Sequence, residues 1–181
     1  MGSYFTQTYQ KILGELLAQT GVSNALAAPR ISKVVINVSV GRLVVSHGDK
    51  ALEAYEKDLA RIAGQKPARR PAKKSISAFK VQRGMPVGIS ATLRGKRAED
   101  FFSRLIFIAL PRLRDFRGID VRAVDANGNL TIGIREQTAF PEAAREPTGI
   151  VFGFETTVVT TVKSREQSLA LFRLLGVPFK S

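Results

Sequence analysis

Residues 64–97 read GQKPARRPAKKSISAFKVQRGMPVGISATLRGKR. The stretch holds ten basic residues (Lys66, Arg69, Arg70, Lys73, Lys74, Lys80, Arg83, Arg94, Lys96 and Arg97) and no Asp or Glu. The whole chain carries 28 Lys and Arg against 15 Asp and Glu, a formal net charge of +13, so most of the imbalance sits in this one segment. A soluble protein tolerates such self-repulsion when a polyanion cancels it, and nucleic acid supplies phosphates at a matching density. The segment is not a formless charged run. Pro67, Pro71, Gly84, Pro86, Gly88 and Gly95 fix or redirect its backbone. Near its end, Val87 to Arg94 alternates as a strand does: Val87, Ile89, Ala91 and Leu93 face a core, and Gly88, Ser90, Thr92 and Arg94 face away. Residues 66–84 are too polar for a core and are expected to form short strands joined by an exposed, mobile loop.

On the N-terminal side of this stretch, Leu52, Tyr55, Leu59 and Ile62 mark a helix that Gly64 ends. Gly41 to Gly48 reads as a loop. Ile31 to Val40 alternates, with Val34, Ile36, Val38 and Val40 inward and Lys33, Val35, Asn37 and Ser39 outward. From Tyr4 to Gln19, the residues Tyr9, Ile12, Leu13, Leu16 and Leu17 recur at helical spacing, and Gly21 stops the helix. On the C-terminal side, Ala98 to Leu110 reads as a buried helix stopped by Pro111, with Phe101, Phe102, Leu105, Ile106 and Ile108 in the core. Asn127-Gly128 between apolar runs predicts a hairpin that pairs Ile119–Asp125 with Leu130–Arg135. Glu136 to Gly149 reads as irregular and Phe154 to Lys163 as a strand. A final helix is capped by Ser164, with Gln167 reaching back in a capping box, and carries Leu171, Leu174 and Leu175 inward before Gly176 and Pro178 end it.

These elements predict an α+β fold: a single domain over residues 1–181, with an antiparallel or mixed sheet, helices packed on one face, a polar RNA-binding face and an exposed basic hairpin loop. At 181 residues the chain is long enough to bury a core unaided. It has no Cys, so disulfides and thiolate zinc sites are excluded and the cytoplasm is the default compartment. No export signal or membrane span is expected, and Met1-Gly2-Ser3 is only a weak myristoylation match.

Catalysis has little to work with. His47 is the single histidine and is read as an idle loop residue. Gly118–Gly133 lacks phosphate-loop spacing, and Gly149 to Gly153 is too short for a dinucleotide fingerprint. Asp100, Asp115, Asp120 and Asp125 are scattered and read as helix-end, turn and ion-pair residues. No enzymatic activity, metal or cofactor is expected. The positive signal is the outer sheet face, where Lys33, Asn37, Ser39, Ser90, Thr92 and Arg94, with Thr157, Thr161 and Lys163, mix short polar groups with cations. That mix suits A-form RNA, which shows 2′-hydroxyls and phosphates across a wide minor groove. No helix carries the basic stripe of a DNA-groove reader, and no aromatic pair on a strand offers a stacking platform for single strands. A general RNA chaperone or nonspecific nucleic-acid binder is the alternative, and a nucleic-acid-processing enzyme with unrecognised catalytic groups is a third reading.

Several blocks resemble the L-five family of large-subunit ribosomal proteins, which bind 5S rRNA. They are LARIAGQKP (59–67), AKKSISAFKVQRGMPVG (72–88), TLRGKR (92–97), LPRLRDFRGI (110–119), GIREQ (133–137), FPE (140–142) and GVPFK (176–180). The resemblance covers nearly the whole chain. It implies a structural constituent of the large subunit that holds 5S rRNA and large-subunit rRNA in the central protuberance, beside other proteins of that region. By position, the implied rRNA contacts are Lys33, Asn37, Gln65, Ser90, Thr92 and Arg94. The loop from Lys73 to Gly84, with Lys73, Lys74, Lys80 and Arg83, is implied to reach the elbow of peptidyl-site tRNA, and an edge to meet a protein of the small-subunit head. The implied location is the ribosome, cytoplasmic or organellar. This chain departs from the family pattern at Arg70, where Thr is usual and Pro71 follows. It departs again after Phe140-Pro141-Glu142, where Ala143-Ala144-Arg145 and Phe152-Gly153 replace an acidic stretch and an Arg-Gly pair.

Overall fold

A computed structural model describes residues 4–114, 116–144 and 151–180, with backbone alone at residue 4 and at 42–51. Residues 1–3, Asp115, the segment 145–150 and Ser181 lie outside the described residues, and so does the side chain of His47. The expected α+β class is the one observed. Helices α1 (Tyr4–Thr20), α2 (Gly41–Ala63), α3 (Lys96–Arg104), α4 (Pro141–Ala144) and α5 (Arg165–Leu174) accompany strands β1 (Ile31–Ser39), β2 (Ala68–Pro71), β3 (Pro86–Arg94), β4 (Leu130–Ile134) and β5 (Phe154–Thr160). The strands form one antiparallel sheet in the order β2-β3-β1-β5-β4. No described helix is long and apolar enough to cross a membrane.

The alternation in β1 has its expected consequence. Val34, Ile36, Val38 and Val40 are buried, whereas Asn37 and Ser39 are exposed. In β3, Ile89, Ala91 and Leu93 are buried in the same way.

The chain packs into two compact units. One comprises residues 1–34, 93–132 and 157–181. Its core is aromatic: Phe102 meets Phe5 edge-on at 5.9 Å between ring centroids and Phe172 at 6.5 Å, and Leu16, Phe101, Leu105, Leu110 and Leu171 are buried in the same unit. Among the described side chains of α1, only Phe5 and Leu16 are buried; Tyr9 donates its hydroxyl to the Pro29 carbonyl at 3.0 Å and, chiefly through desolvation, its pKa is raised. Ser164 caps α5 by accepting from the Gln167 backbone N–H. The reciprocal half of the expected capping box does not form, because the Gln167 side-chain amide reaches the Thr20 carbonyl instead.

The other unit comprises residues 35–92 and 133–156. Leu52, Tyr55, Leu59 and Ile62 are buried on one side of α2, at the spacing that predicted the helix. Tyr55 packs against Phe152 at 4.5 Å and Phe140 against Phe154 at 5.8 Å. The Gln137 amide oxygen, itself buried, accepts the Phe152 backbone N–H at 2.8 Å. The Tyr55 hydroxyl is buried with no hydrogen-bond partner among the described residues, and desolvation raises its pKa.

Three further expectations fail for identifiable reasons. Residues 41–48 are the first turns of α2, not a loop. Each glycine there costs only about 1 kcal/mol relative to Ala, and extending a helix that the following residues already favour is cheap once it is nucleated. Residues 119–125 do not form a hairpin strand. The Asp120 carboxylate accepts the Arg122 backbone N–H at 2.8 Å and coils Val121–Ala123 into a 3-10 turn, while Ile119 bridges in parallel to Phe179. The Asn127-Gly128 turn itself is present, with Val124 bridged to Leu130. Gly128 has φ +78 there, and a Cβ in its place would collide with the Ser168 hydroxyl. Finally, the buried helix does not stop cleanly at Pro111. After α3 it widens into a π turn over Leu105–Ala109 and tightens into a 3-10 turn over Leu110–Arg112, and Ile108 is left 39% exposed instead of in the core. A π turn shifts the side chains away from the positions that α-helical spacing assumes.

Candidate nucleic-acid interface

In the second unit the basic stretch folds as a two-part hairpin. Its base is the antiparallel pair β2 and β3, with Ala68 opposite Ser90, Arg69 opposite Ile89 and Arg70 opposite Gly88. The register shifts between Arg70 and Pro71, and Pro71 then faces Pro86. Neither proline has an N–H to give, so the regular ladder is interrupted here. Pairing resumes beyond the prolines, where Ala72 N–H donates to Met85 O at 2.8 Å and Gly84 N–H to Ala72 O at 3.0 Å.

The loop expected to be mobile has its own hydrogen bonds. Ile76 and Val81 exchange two backbone bonds, of 2.9 and 3.2 Å. The Ser75 hydroxyl accepts the Arg83 N–H at 2.9 Å, and Ser77–Phe79 form a 3-10 turn closed by Lys80 at φ 52. Lys73, Lys74, Lys80 and Arg83 are all exposed, and none of their side chains has an ion-pair or hydrogen-bond partner among the described residues. Between them stand two exposed apolar side chains, Ile76 at 49% and Phe79 at 70%.

Of the six residues implied as rRNA contacts, Asn37, Gln65, Ser90 and Thr92 belong to this unit. Asn37 is exposed with no side-chain partner among the described residues, and Thr92 is half-buried. Gln65 just past α2 donates its amide to the Thr92 carbonyl at 3.2 Å, which ties the end of the helix to β3. Ser90 differs from its reading as an outward-facing contact. It is only 4% exposed, and its hydroxyl accepts Arg70 Nε–H at 2.7 Å. Lys33, half-buried on β1, and Arg94, exposed at the end of β3, belong to the first unit.

Sequence reasoning missed the role of Arg70. It counted Arg70 among the ten cations but could not place its side chain, because that depends on how β2 registers against β3 across an irregular proline pair. Arg69, the preceding residue, turns to the opposite face and grips Glu56 of α2 through Nε and one terminal nitrogen of its guanidinium, at 2.5 and 3.0 Å.

Fold and charge together define a small, basic α+β protein whose excess of cations over carboxylates is concentrated in the segment 64–97. The family model described as Ribosomal protein L5 matches residues 24–82, and the model for the C-terminus of the same ribosomal family matches residues 86–179. The chain belongs to the L5 family of ribosomal proteins. It is similar along nearly its full length to proteins named large ribosomal subunit protein uL5. Identity is 44% to that of Desulfatibacillum aliphaticivorans, covering 99% of both chains. It is 44% to that of Roseiflexus castenholzii, covering 96% of both, and 43% to that of Symbiobacterium thermophilum, covering 99% of this chain and 98% of the relative.

Proposed function

We propose that this protein is a structural constituent of the large ribosomal subunit that binds 5S rRNA through the polar sheet face and reaches peptidyl-site tRNA with its basic loop. The observation that carries this reading is the segregation of charge. Lys73, Lys74, Lys80 and Arg83 are exposed and unpaired among the described residues on a hydrogen-bonded arm, whereas Arg69 at the base of the same hairpin is neutralised by Glu56. Cations left without carboxylates are what a phosphate backbone requires, and amides and hydroxyls such as Asn37 and Thr92 suit 2′-hydroxyls. Large-subunit rRNA, neighbouring proteins of the central protuberance and a protein of the small-subunit head are the further partners of this reading, and the ribosome is its location. Membership of a ribosomal family whose named relatives are large-subunit proteins supports it.

The test compares affinity for 5S rRNA with affinity for a DNA duplex of equal length at one salt concentration. A preference of about 100-fold or more for 5S rRNA is expected. Equal affinities would instead mark a general RNA chaperone or nonspecific nucleic-acid binder, and turnover of either substrate would mark a processing enzyme.

A further inference from the structure

Arg70 stands on β2, whose residues are all exposed, at the end of the β2–β3 ladder. Because Ala68 pairs with Ser90 and Arg70 with Gly88, Arg70 and Ser90 are diagonal neighbours on one face of the two strands, a separation that a long side chain spans. The arginine does span it, and Nε–H donates to Ser90 Oγ at 2.7 Å. This is the only side-chain bond Arg70 makes among the described residues, so its two terminal nitrogens are uncommitted while the residue remains exposed. Gly88 has no side chain opposite, and a Cβ built there would lie 3.8 Å from Arg70 Cβ and 3.3 Å from Val38 O.

An exposed arginine ordinarily samples many rotamers. Here one end of the guanidinium is tied to a buried hydroxyl, so the plane of the group is set and the two terminal nitrogens are left free for a ligand. That fork geometry matches two phosphate oxygens, and a preset side chain loses less freedom on binding. Ser90, by contrast, is nearly inaccessible and its hydroxyl is already engaged. We propose that Arg70 is the phosphate-binding residue of this part of the sheet, and that Ser90 is a positioning residue acting through it instead of touching RNA. The proposal rests on the reading that the sheet face binds 5S rRNA.

The experiment uses the full chain and transcribed 5S rRNA, with affinity measured at several salt concentrations and fold checked by thermal unfolding. Arg70→Ala is expected to weaken binding about ten-fold and to reduce the slope of log affinity against log salt by about 0.9. Ser90→Ala is expected to weaken binding about five-fold with the slope unchanged, since the charge remains while its orientation is lost. The double variant should bind no worse than Arg70→Ala. Ser90→Thr, which keeps the hydroxyl, should restore binding, and Arg70→Lys, which has no Nε–H for Ser90, should keep the slope but not the affinity. Additive losses in the double variant, or an Arg70→Ala protein with wild-type affinity and slope, would overturn the proposal while leaving the 5S rRNA reading intact. A wild-type protein with no salt-dependent affinity for 5S rRNA would overturn both.

Discussion

Replacing Lys73, Lys74 and Arg83 by Ser removes three of the four cations on the arm beyond the proline pair. All three side chains are exposed and have no partner within the protein among the described residues, so the substitutions break no intramolecular contact and fold stability should hold. If each contacts one tRNA phosphate, losing it removes up to about 1 kcal/mol, the upper range for an exposed ion pair. Three such losses lower affinity by up to about 100-fold. The salt dependence should flatten as well, by about 0.7 to 0.9 units of slope for each contact removed. The assay is paired. Ribosomes carrying the variant are followed for the lifetime of bound peptidyl-site tRNA at two salt concentrations, and the isolated variant is titrated with 5S rRNA. Shortened tRNA retention with nearly unchanged 5S rRNA affinity is expected, because the sheet residues are untouched. If 5S rRNA affinity collapses while tRNA retention stays normal, the loop has been assigned to the wrong RNA.

Two further predictions concern the fold. Tyr55→Phe removes a buried hydroxyl that has no hydrogen-bond partner among the described residues and keeps the ring against Phe152, so the variant should be more stable than wild type by about 1 kcal/mol in denaturant midpoints; a loss of stability would mean that the hydroxyl is satisfied after all. At the Asn127-Gly128 turn, desolvation is the largest single influence and acts to raise the Asp125 pKa, but hydrogen bonds from the Asn129 backbone and side chain and the Asn127 backbone together outweigh it and hold the carboxyl below its ordinary value. Because the folded value is depressed, the carboxylate stabilises the turn fully above its unfolded value and loses that contribution as pH falls through the folded value. The stability difference between wild type and Asp125→Ala should therefore shrink on acidification below about pH 4, and a difference that is constant with pH would refute the assignment.

Periodicity made most of the fold legible, because burial imposes it. The alternation of Val34, Ile36, Val38 and Val40 and the helical spacing of Leu52, Tyr55, Leu59 and Ile62 each correspond to side chains no more than 2% exposed. What could not be read depended on events that leave no period. A π turn displaced Ile108 from the core, and the carboxylate of Asp120 coiled a segment whose apolar residues suggested a strand. The start of α2 was hidden because its glycines look like loop residues until the length of helix that follows is weighed against them. The candidate interface divides in the same way. The loop cations stand out because composition alone locates them and nothing among the described residues neutralises them. Ser90 does not, because a polar residue at an outward position of a strand reads as available, and only the cross-strand register reveals that Arg70 lies over it.

That register also separates the work of the two parts of the hairpin. Up to Arg70 the hairpin belongs to the sheet, with Arg69 held by Glu56 on one face and Arg70 by Ser90 on the other. At Pro71 and Pro86 the ladder is interrupted, and beyond them an arm closes on itself through the Ala72–Met85, Ala72–Gly84 and Ile76–Val81 backbone bonds. Ordering a backbone residue costs about 1–2 kcal/mol, so an arm of this length that was disordered before binding would offset much of what a few exposed cations gain. The arm's own backbone hydrogen bonds offset part of that cost in advance by shaping the turn on which Phe79 and the flanking cations stand. The joint that isolates the arm from the sheet ladder therefore lets charge be added to or removed from the arm without disturbing the strand positions, so the two RNA contacts we propose for this hairpin are free to vary independently.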